Sequence, residues 1–181
     1  MIKIVACITQ EHDWRLLLLA AAVCTFLCAL TMAISTVRRR GSSDRGLIAT
    51  ALLPAFTAAA AIWATHFIAM LAFDPGLATG FAPMLTAGSF LIALAFAIPS
   101  FAIALGRGRP AEGGLLLGAG VGLMHYTGMA AFRTQGTLSW DPAYVAASLA
   151  LGLPLAALAL TCLSRQTWRW RRSRRGRGWS P

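Results

Sequence analysis

His66 is followed by Phe67, Ala69, Met70, Ala72 and Phe73, and His125 is followed by Tyr126, Gly128, Met129, Ala131 and Phe132 at the same spacings. One pattern is written twice. On a helix each copy sets an imidazole and a thioether side by side, because residues four apart share a face. Thioether is a soft donor that favours Cu(I), while imidazole accepts copper, zinc, iron or nickel. A mixed His/Met set with no thiolate or carboxylate cluster points to copper first. His66, Met70, His125 and Met129 supply four such donors, and His12 or Met124 could complete or modulate the set. Tyr126 and Thr127 offer hydroxyls as hydrogen-bond partners for a histidine, and Asp13 could orient an imidazole from behind. An open position on such a metal would take a diatomic ligand. No serine, cysteine or carboxylate arrangement resembles a hydrolytic site, so a binding site without catalysis is expected. The plainer alternative is that each histidine hydrogen-bonds a neighbouring helix and each methionine fills core space. Repetition is what weighs against it.

The elements that must hold these residues follow from composition. Of 181 residues 57% are hydrophobic and 12% charged, about half the charge of a typical soluble domain. The apolar residues fall in five blocks, at about 16–37, 47–73, 84–105, 113–132 and 143–163, each near or above the ~20 residues needed to cross ~30 Å of hydrocarbon. An all-α, polytopic transmembrane helix bundle of five spans is expected, built from an internal two-helix repeat. It would divide into an outer segment at 1–15, a transmembrane domain at 16–163 and a basic tail at 164–181. The first span is too long for a signal-peptide core and lacks a small-residue cleavage pattern, so its retention is expected.

Orientation follows from the basic residues, which collect on the cytoplasmic side. Arg38, Arg39, Arg40 and Arg45 lie between spans one and two, Arg107 and Arg109 between three and four, and seven arginines lie between Arg165 and Arg177. The opposite side holds Lys3, Arg15 and Arg133, with Glu11, Asp13, Asp74 and Asp141. The N-terminus is therefore expected outside and the C-terminus in the cytoplasm. Spans two and four then both run outward, and His66 and His125 share a depth about 10 Å below the outer surface at 1.5 Å per residue. His12 lies on that side too, in a segment expected to be loose. Helical phase puts Gly118 and Gly122 in one stripe with His125 and Met129, and Ala55 and Ala59 in the matching stripe with His66 and Met70. Small residues let membrane helices approach closely, so spans two and four are expected to meet through these stripes. Trp14, Trp63 and Trp140 suit an interfacial belt, and Cys7, Cys24, Cys28 and Cys162 do not read as a disulfide framework.

Met124-His125-Tyr126-Thr127, continued to Phe132, resembles the signature of the MHYT-domain membrane sensors of bacteria, and Thr65 to Phe73 is similar to that family's commoner first-repeat variant. The resemblance covers most of residues 11 to 163. It implies seven helices with three repeats, and copper proposed to be bound through outer-side His and Met residues to sense oxygen, carbon monoxide or nitric oxide. It also implies a location in the bacterial inner membrane and, in many members, a cytoplasmic diguanylate cyclase or phosphodiesterase module. This chain departs from that pattern. Trp140-Asp141-Pro142 looks like the opening of a third repeat, but no third motif helix follows, and the stretch from Arg165 onward is too short for a folded catalytic module. Either the protein signals through a partner, a second copy or a separate cytoplasmic output protein, or it is a shortened relative of the seven-helix proteins.

The tail carries Trp168, Arg169, Trp170, Arg171, Arg172, Arg174 and Arg175. Arginines just inside a span are drawn to anionic lipid by about 1 kcal/mol each, so membrane lipid rather than nucleic acid is the expected partner. A metal-dependent sensor without enzymatic activity is the expected function. The alternatives are a copper-handling or transport component, and a structural membrane subunit that binds no metal.

Overall fold

The computed structural model describes residues 12–40, 47–74, 76–135 and 140–175, with the backbone alone for 38–40, 47–48 and 167–175. Among them are five helices: α1 (Trp14–Arg40), α2 (Leu47–Leu71), α3 (Pro83–Phe101), α4 (Pro110–Ala131) and α5 (Pro142–Arg175). Helices are what an apolar chain must form in lipid, since each satisfies its backbone donors and acceptors internally. Their starts are encoded locally. Pro83, Pro110 and Pro142 each open a helix at a position where the missing N–H has no partner to lose. The carboxylates of Asp13 and Asp141 accept the N–H of Arg15 and of Ala143, both at 2.8 Å, which caps α1 and α5. A π-helical turn, Ala102–Gly106, continues α3 just beyond Pro99.

Among the described residues four helices are long and apolar enough to cross a membrane: Trp14–Val37, Ala49–Leu71, Pro83–Gly106 and Pro142–Gln166. The protein is an all-α multi-pass membrane bundle. The remaining expected span, α4, has the length for crossing, 22 residues, but glycines at 113, 114, 118, 120, 122 and 128 dilute its hydropathy. Those glycines reflect its place: α4 lies between α3 and α5 and packs closely on both. The helices otherwise pack in chain order, α1 on α2 and α2 on α3. Their shared core is built from small residues, Ala51, Ala55, Ala59, Ala93 and Ala97, around Phe101 and Met124.

Two expectations change here. Trp63 is not part of an interfacial belt. Its indole N–H turns inward to the Thr86 carbonyl at 3.2 Å and the Ser89 hydroxyl at 3.1 Å, and its ring packs on Phe67 and Phe90. An indole donor in apolar surroundings needs an acceptor, and α3 supplies two. Nor do α2 and α4 meet along their small-residue stripes. A side chain at Gly118 would strike the Leu153 backbone of α5, at 2.9 Å from its Cα, and one at Gly122 would strike the Leu149 side chain at 2.8 Å. The glycine stripe of α4 therefore serves α5, while Ala55 and Ala59 of α2 are buried in the shared core.

At the helix ends that carry the motifs the repeat reaches beyond the helices. The N–H of Asp13, just before α1, donates to the Ala72 carbonyl at 2.8 Å; the N–H of Ala82, just before α3, donates to the Ala131 carbonyl at 2.8 Å. Ala72 and Ala131 are equivalent residues of the two motifs. One residue further out, His12 bridges Phe73, and Phe81 pairs with Phe132 in a short antiparallel ladder of β1 (Thr79–Phe81) and β2 (Phe132–Thr134). Each helical hairpin, α1–α2 and α3–α4, is thus clasped by the same backbone bond. His12 is consequently fixed, contrary to the loose segment expected: its backbone is bridged and its ring lies 5.3 Å from that of Phe73. Residues 1–11, with Lys3, Cys7 and Glu11, lie outside the described residues.

Candidate metal centre

α2 and α4 come together just below these clasps. His66 Nδ1 and His125 Nδ1 stand 3.3 Å apart, with ring centroids 4.9 Å apart and planes crossed at 69°. Close approach depends on Gly128. A Cβ there would lie 2.6 Å from His66 Nε2 and 3.0 Å from Cδ2, so the imidazole of one repeat occupies the space where the other repeat lacks a side chain. At the equivalent position in the first motif alanine stands (Ala69), which lines the cavity beside the two rings.

The two rings open onto a cavity of about 360 Å³. His12, His66, Met70, His125 and Met129 all line it, with Phe73 and Phe132 completing its wall. Five residues expected from sequence to carry the chemistry are therefore brought to one place by three separate segments. Phe73, Phe132 and Gly128 belong to the same surroundings and were not singled out. The repeat itself held the signal, since Phe73 and Phe132 are equivalent and Gly128 departs from alanine where its partner motif has Ala69.

Other expected members sit elsewhere. Met124 is fully buried in the helix core and does not line the cavity, because it falls on the α4 face turned towards the alanines of the bundle. The Tyr126 hydroxyl hydrogen-bonds with the Ser148 hydroxyl at 2.5 Å, the Thr127 hydroxyl donates to its own helix at the Leu123 carbonyl at 2.8 Å, and the Asp13 carboxylate caps α1. None of these three bonds reaches a histidine. Short hydroxyls in a helix find the carbonyl four residues back, and Asp at a helix start finds the free N–H groups first.

Two imidazole nitrogens bound to one tetrahedral ion at about 2.0–2.1 Å would stand roughly 3.3–3.4 Å apart, which is the separation seen. Among the described residues no three His, Cys, Asp or Glu side chains gather, so an ion held here would depend on the thioethers of Met70 and Met129 as well. Soft sulfur with imidazole fits copper better than zinc. His66 Nε2 is buried with no hydrogen-bond partner. An orphaned buried polar atom costs on the order of 1–3 kcal/mol, a cost that Nε2, pressed against Gly128, carries with or without an ion at Nδ1. Because Met70 and Met129 face one cavity, cysteines replacing both are expected to crosslink with short bifunctional reagents. Efficient crosslinking from exposed positions such as Leu71 or Leu123 to the opposite helix, with none between 70 and 129, would contradict the arrangement.

The family described as bacterial signalling protein N-terminal repeat, MHYT, matches residues 60–115 and 118–176, one match for each motif. An uncharacterized signaling protein of Caulobacter vibrioides is 45% identical over 163 residues, 87% of this chain and 20% of that relative. The cyclic di-GMP phosphodiesterase NbdA of Pseudomonas aeruginosa is 35% identical over 161 residues, 84% of this chain and 20% of its own length. The bifunctional diguanylate cyclase/cyclic di-GMP phosphodiesterase MucR of the same organism is 35% identical over 114 residues, covering 59% of this chain and 16% of its length. The chain thus spans about a fifth of the relatives it matches. No solved structure matches it.

Proposed function

The chain belongs to the MHYT family of bacterial signalling proteins, and from that premise we propose that it is a membrane-embedded sensor whose His/Met cavity binds copper and responds to a diatomic gas or to redox state. The observation that carries the reading is the facing pair of Nδ1 atoms, 3.3 Å apart in a cavity flanked by two methionines. His66, His125, Met70 and Met129 would hold the ion, and His12, fixed by its clasp at the cavity edge, would close or modulate the set. When bound, copper supplies a position at which a diatomic molecule can coordinate. The protein's own part is to hold both imidazoles fixed in orientation and partly shielded from water, at the outer ends of α2 and α4. Copper analysis of the detergent-purified protein tests the reading.

Signalling would run inward. The relatives named for cyclic di-GMP turnover suggest an output of that kind on the cytoplasmic side, on the same polypeptide or on a separate one. α5 is the element suited to reach it. It runs 34 residues, about 50 Å at 1.5 Å per residue, and so continues well past ~30 Å of hydrocarbon. The helix carries Trp168, Arg169, Trp170, Arg171, Arg172, Arg174 and Arg175, whose side chains lie outside the described residues, to the lipid surface where anionic headgroups would hold them. Such a protein sits in the inner membrane with its histidines towards the outside. A reporter fused after Pro181 is expected to be active only in the cytoplasm, and a cysteine placed between Asp74 and Pro83 to react with an impermeant reagent from outside. A C-terminal reporter active only outside would invert the topology and remove the outward-facing centre.

A further inference from the structure

A second cavity, of about 280 Å³, lies between α4 and α5, and His125 lines both it and the His/Met cavity. The seam between these helices explains it. At Gly114 a Cβ would lie 2.3 Å from Ala157 Cα, and at Gly118 2.9 Å from Leu153 Cα, so towards the cytoplasm the two backbones touch. Further outward the contact passes from backbone to side chain, a Cβ at Gly122 lying 2.8 Å from Leu149 Cδ2. A Cβ at Gly152 would meet nothing within 4 Å, and the gap that begins there runs to Ser148 and Tyr126. Gly152, Leu149 and Ser148 are exposed on the flank of the bundle, which gives the cavity a sideways mouth at a depth where α5 crosses the membrane.

We infer that this α4–α5 cavity is a lateral entry site through which a small nonpolar molecule dissolved in the bilayer reaches His125. Its wall is apolar, built from glycines with Val121, Leu149, Leu153 and Ala156. The hydroxyls of Tyr126 and Ser148 satisfy each other, so they demand no polar group from an occupant. A charged or strongly hydrated molecule does not travel at this depth, whereas a nonpolar one concentrates there. His125 is a wall shared by the two cavities, so an occupant of the α4–α5 cavity meets the histidine from the lipid side, without passage through the outer clasps. That this route serves sensing rests on the proposed function; that the cavity holds a nonpolar molecule does not.

Xenon is the probe that separates the two. A Cβ at Gly152 meets nothing within 4 Å, so Gly152→Leu places its side chain in the open space, and Gly88→Leu, on α3 with an equally unobstructed Cβ, serves as the control. Xenon NMR of the detergent-solubilised protein is expected to show saturable binding, weakened at least about tenfold by Gly152→Leu and unchanged by Gly88→Leu. Absence of saturable binding, as when a lipid or detergent chain fills the space, or equal binding by Gly152→Leu and the parent, overturns the inference. In copper-loaded protein, carbon monoxide recombination after photolysis is expected to slow by a similar factor in Gly152→Leu alone. Recombination unaffected by that variant overturns the route to His125. Should copper not bind at all while xenon is still displaced by Gly152→Leu, the cavity stands and the metal reading falls.

Discussion

Copper added to the detergent-purified protein is expected to bind at one ion per chain, and replacing either His66 or His125 by alanine is expected to abolish it. Both nitrogens face the same point, so losing one leaves a single imidazole and two thioethers that cannot close a site. The loss should exceed the ~10–100-fold that removal of an outer partner costs a metal site. Affinity should also fall as pH is lowered, since each ligating imidazole must be neutral and protons compete with the ion. Met70→Leu and Met129→Leu should weaken Cu(I) more than Cu(II), because they remove soft donors and nearly keep volume. His12→Ala should have a smaller effect, through the clasp as much as through the ion. The folded stability of the copper-free His66→Ala protein is informative in its own right. His66→Ala removes ring packing at Gly128 together with a buried Nε2 that has no hydrogen-bond partner, so the two effects on stability oppose each other. Unchanged copper content in the double variant would reduce the two residues to helix contacts. Copper movement across vesicles carrying the protein would instead favour a transport component.

Much of this arrangement is legible in the chain because the repeat is a physical constraint as well as a pattern. Two equal motifs at equal depth on helices running the same way can place His66 opposite His125, and the structure does so. Helix starts have local determinants in Pro83, Pro110 and Pro142 and in the capping Asp13 and Asp141, whereas the expected spans rested on hydropathy and Asp13 was expected behind an imidazole. What could not be read is which neighbour a face addresses. The Gly118/Gly122 stripe shares a helical phase with His125, and phase alone does not say whether glycine opens towards α2 or α5. Trp63 illustrates the same limit, since its place near a span end says nothing of the Ser89 hydroxyl 26 residues on in another helix. The clasps were missed because three-residue strands carry no periodicity, and their bonds join segments far apart in sequence. Hydropathy underrates α4 because glycine lowers the average in a helix whose burial depends on it.

Gly114→Val is expected to produce the largest loss of stability of any single change along α4. The absent side chain is replaced there by the backbone of α5: a Cβ would lie 2.3 Å from Ala157 Cα, 2.6 Å from the Ala156 carbonyl oxygen and 2.8 Å from the Ala157 nitrogen. No rotamer change can relieve contacts with main-chain atoms, so the helices must part. Overpacking a core costs about 1–3 kcal/mol and occasionally more, and where two membrane helices depend on close backbone approach the upper end applies. Separation would also expose Gly118 and widen the seam leading to Tyr126 and Ser148, whose 2.5 Å hydrogen bond should be lost. Gly152→Ala provides the opposite case on the facing helix. It meets nothing within 4 Å, and alanine is favoured over glycine in a helix by roughly 0.5–1 kcal/mol, so stability should hold or rise. Thermal unfolding in one detergent compares them directly. A Gly114→Val midpoint equal to that of the parent protein would mean that α4 and α5 do not pack backbone to backbone, and a fall in Gly152→Ala as large as in Gly114→Val would mean that the open space at that position is not there.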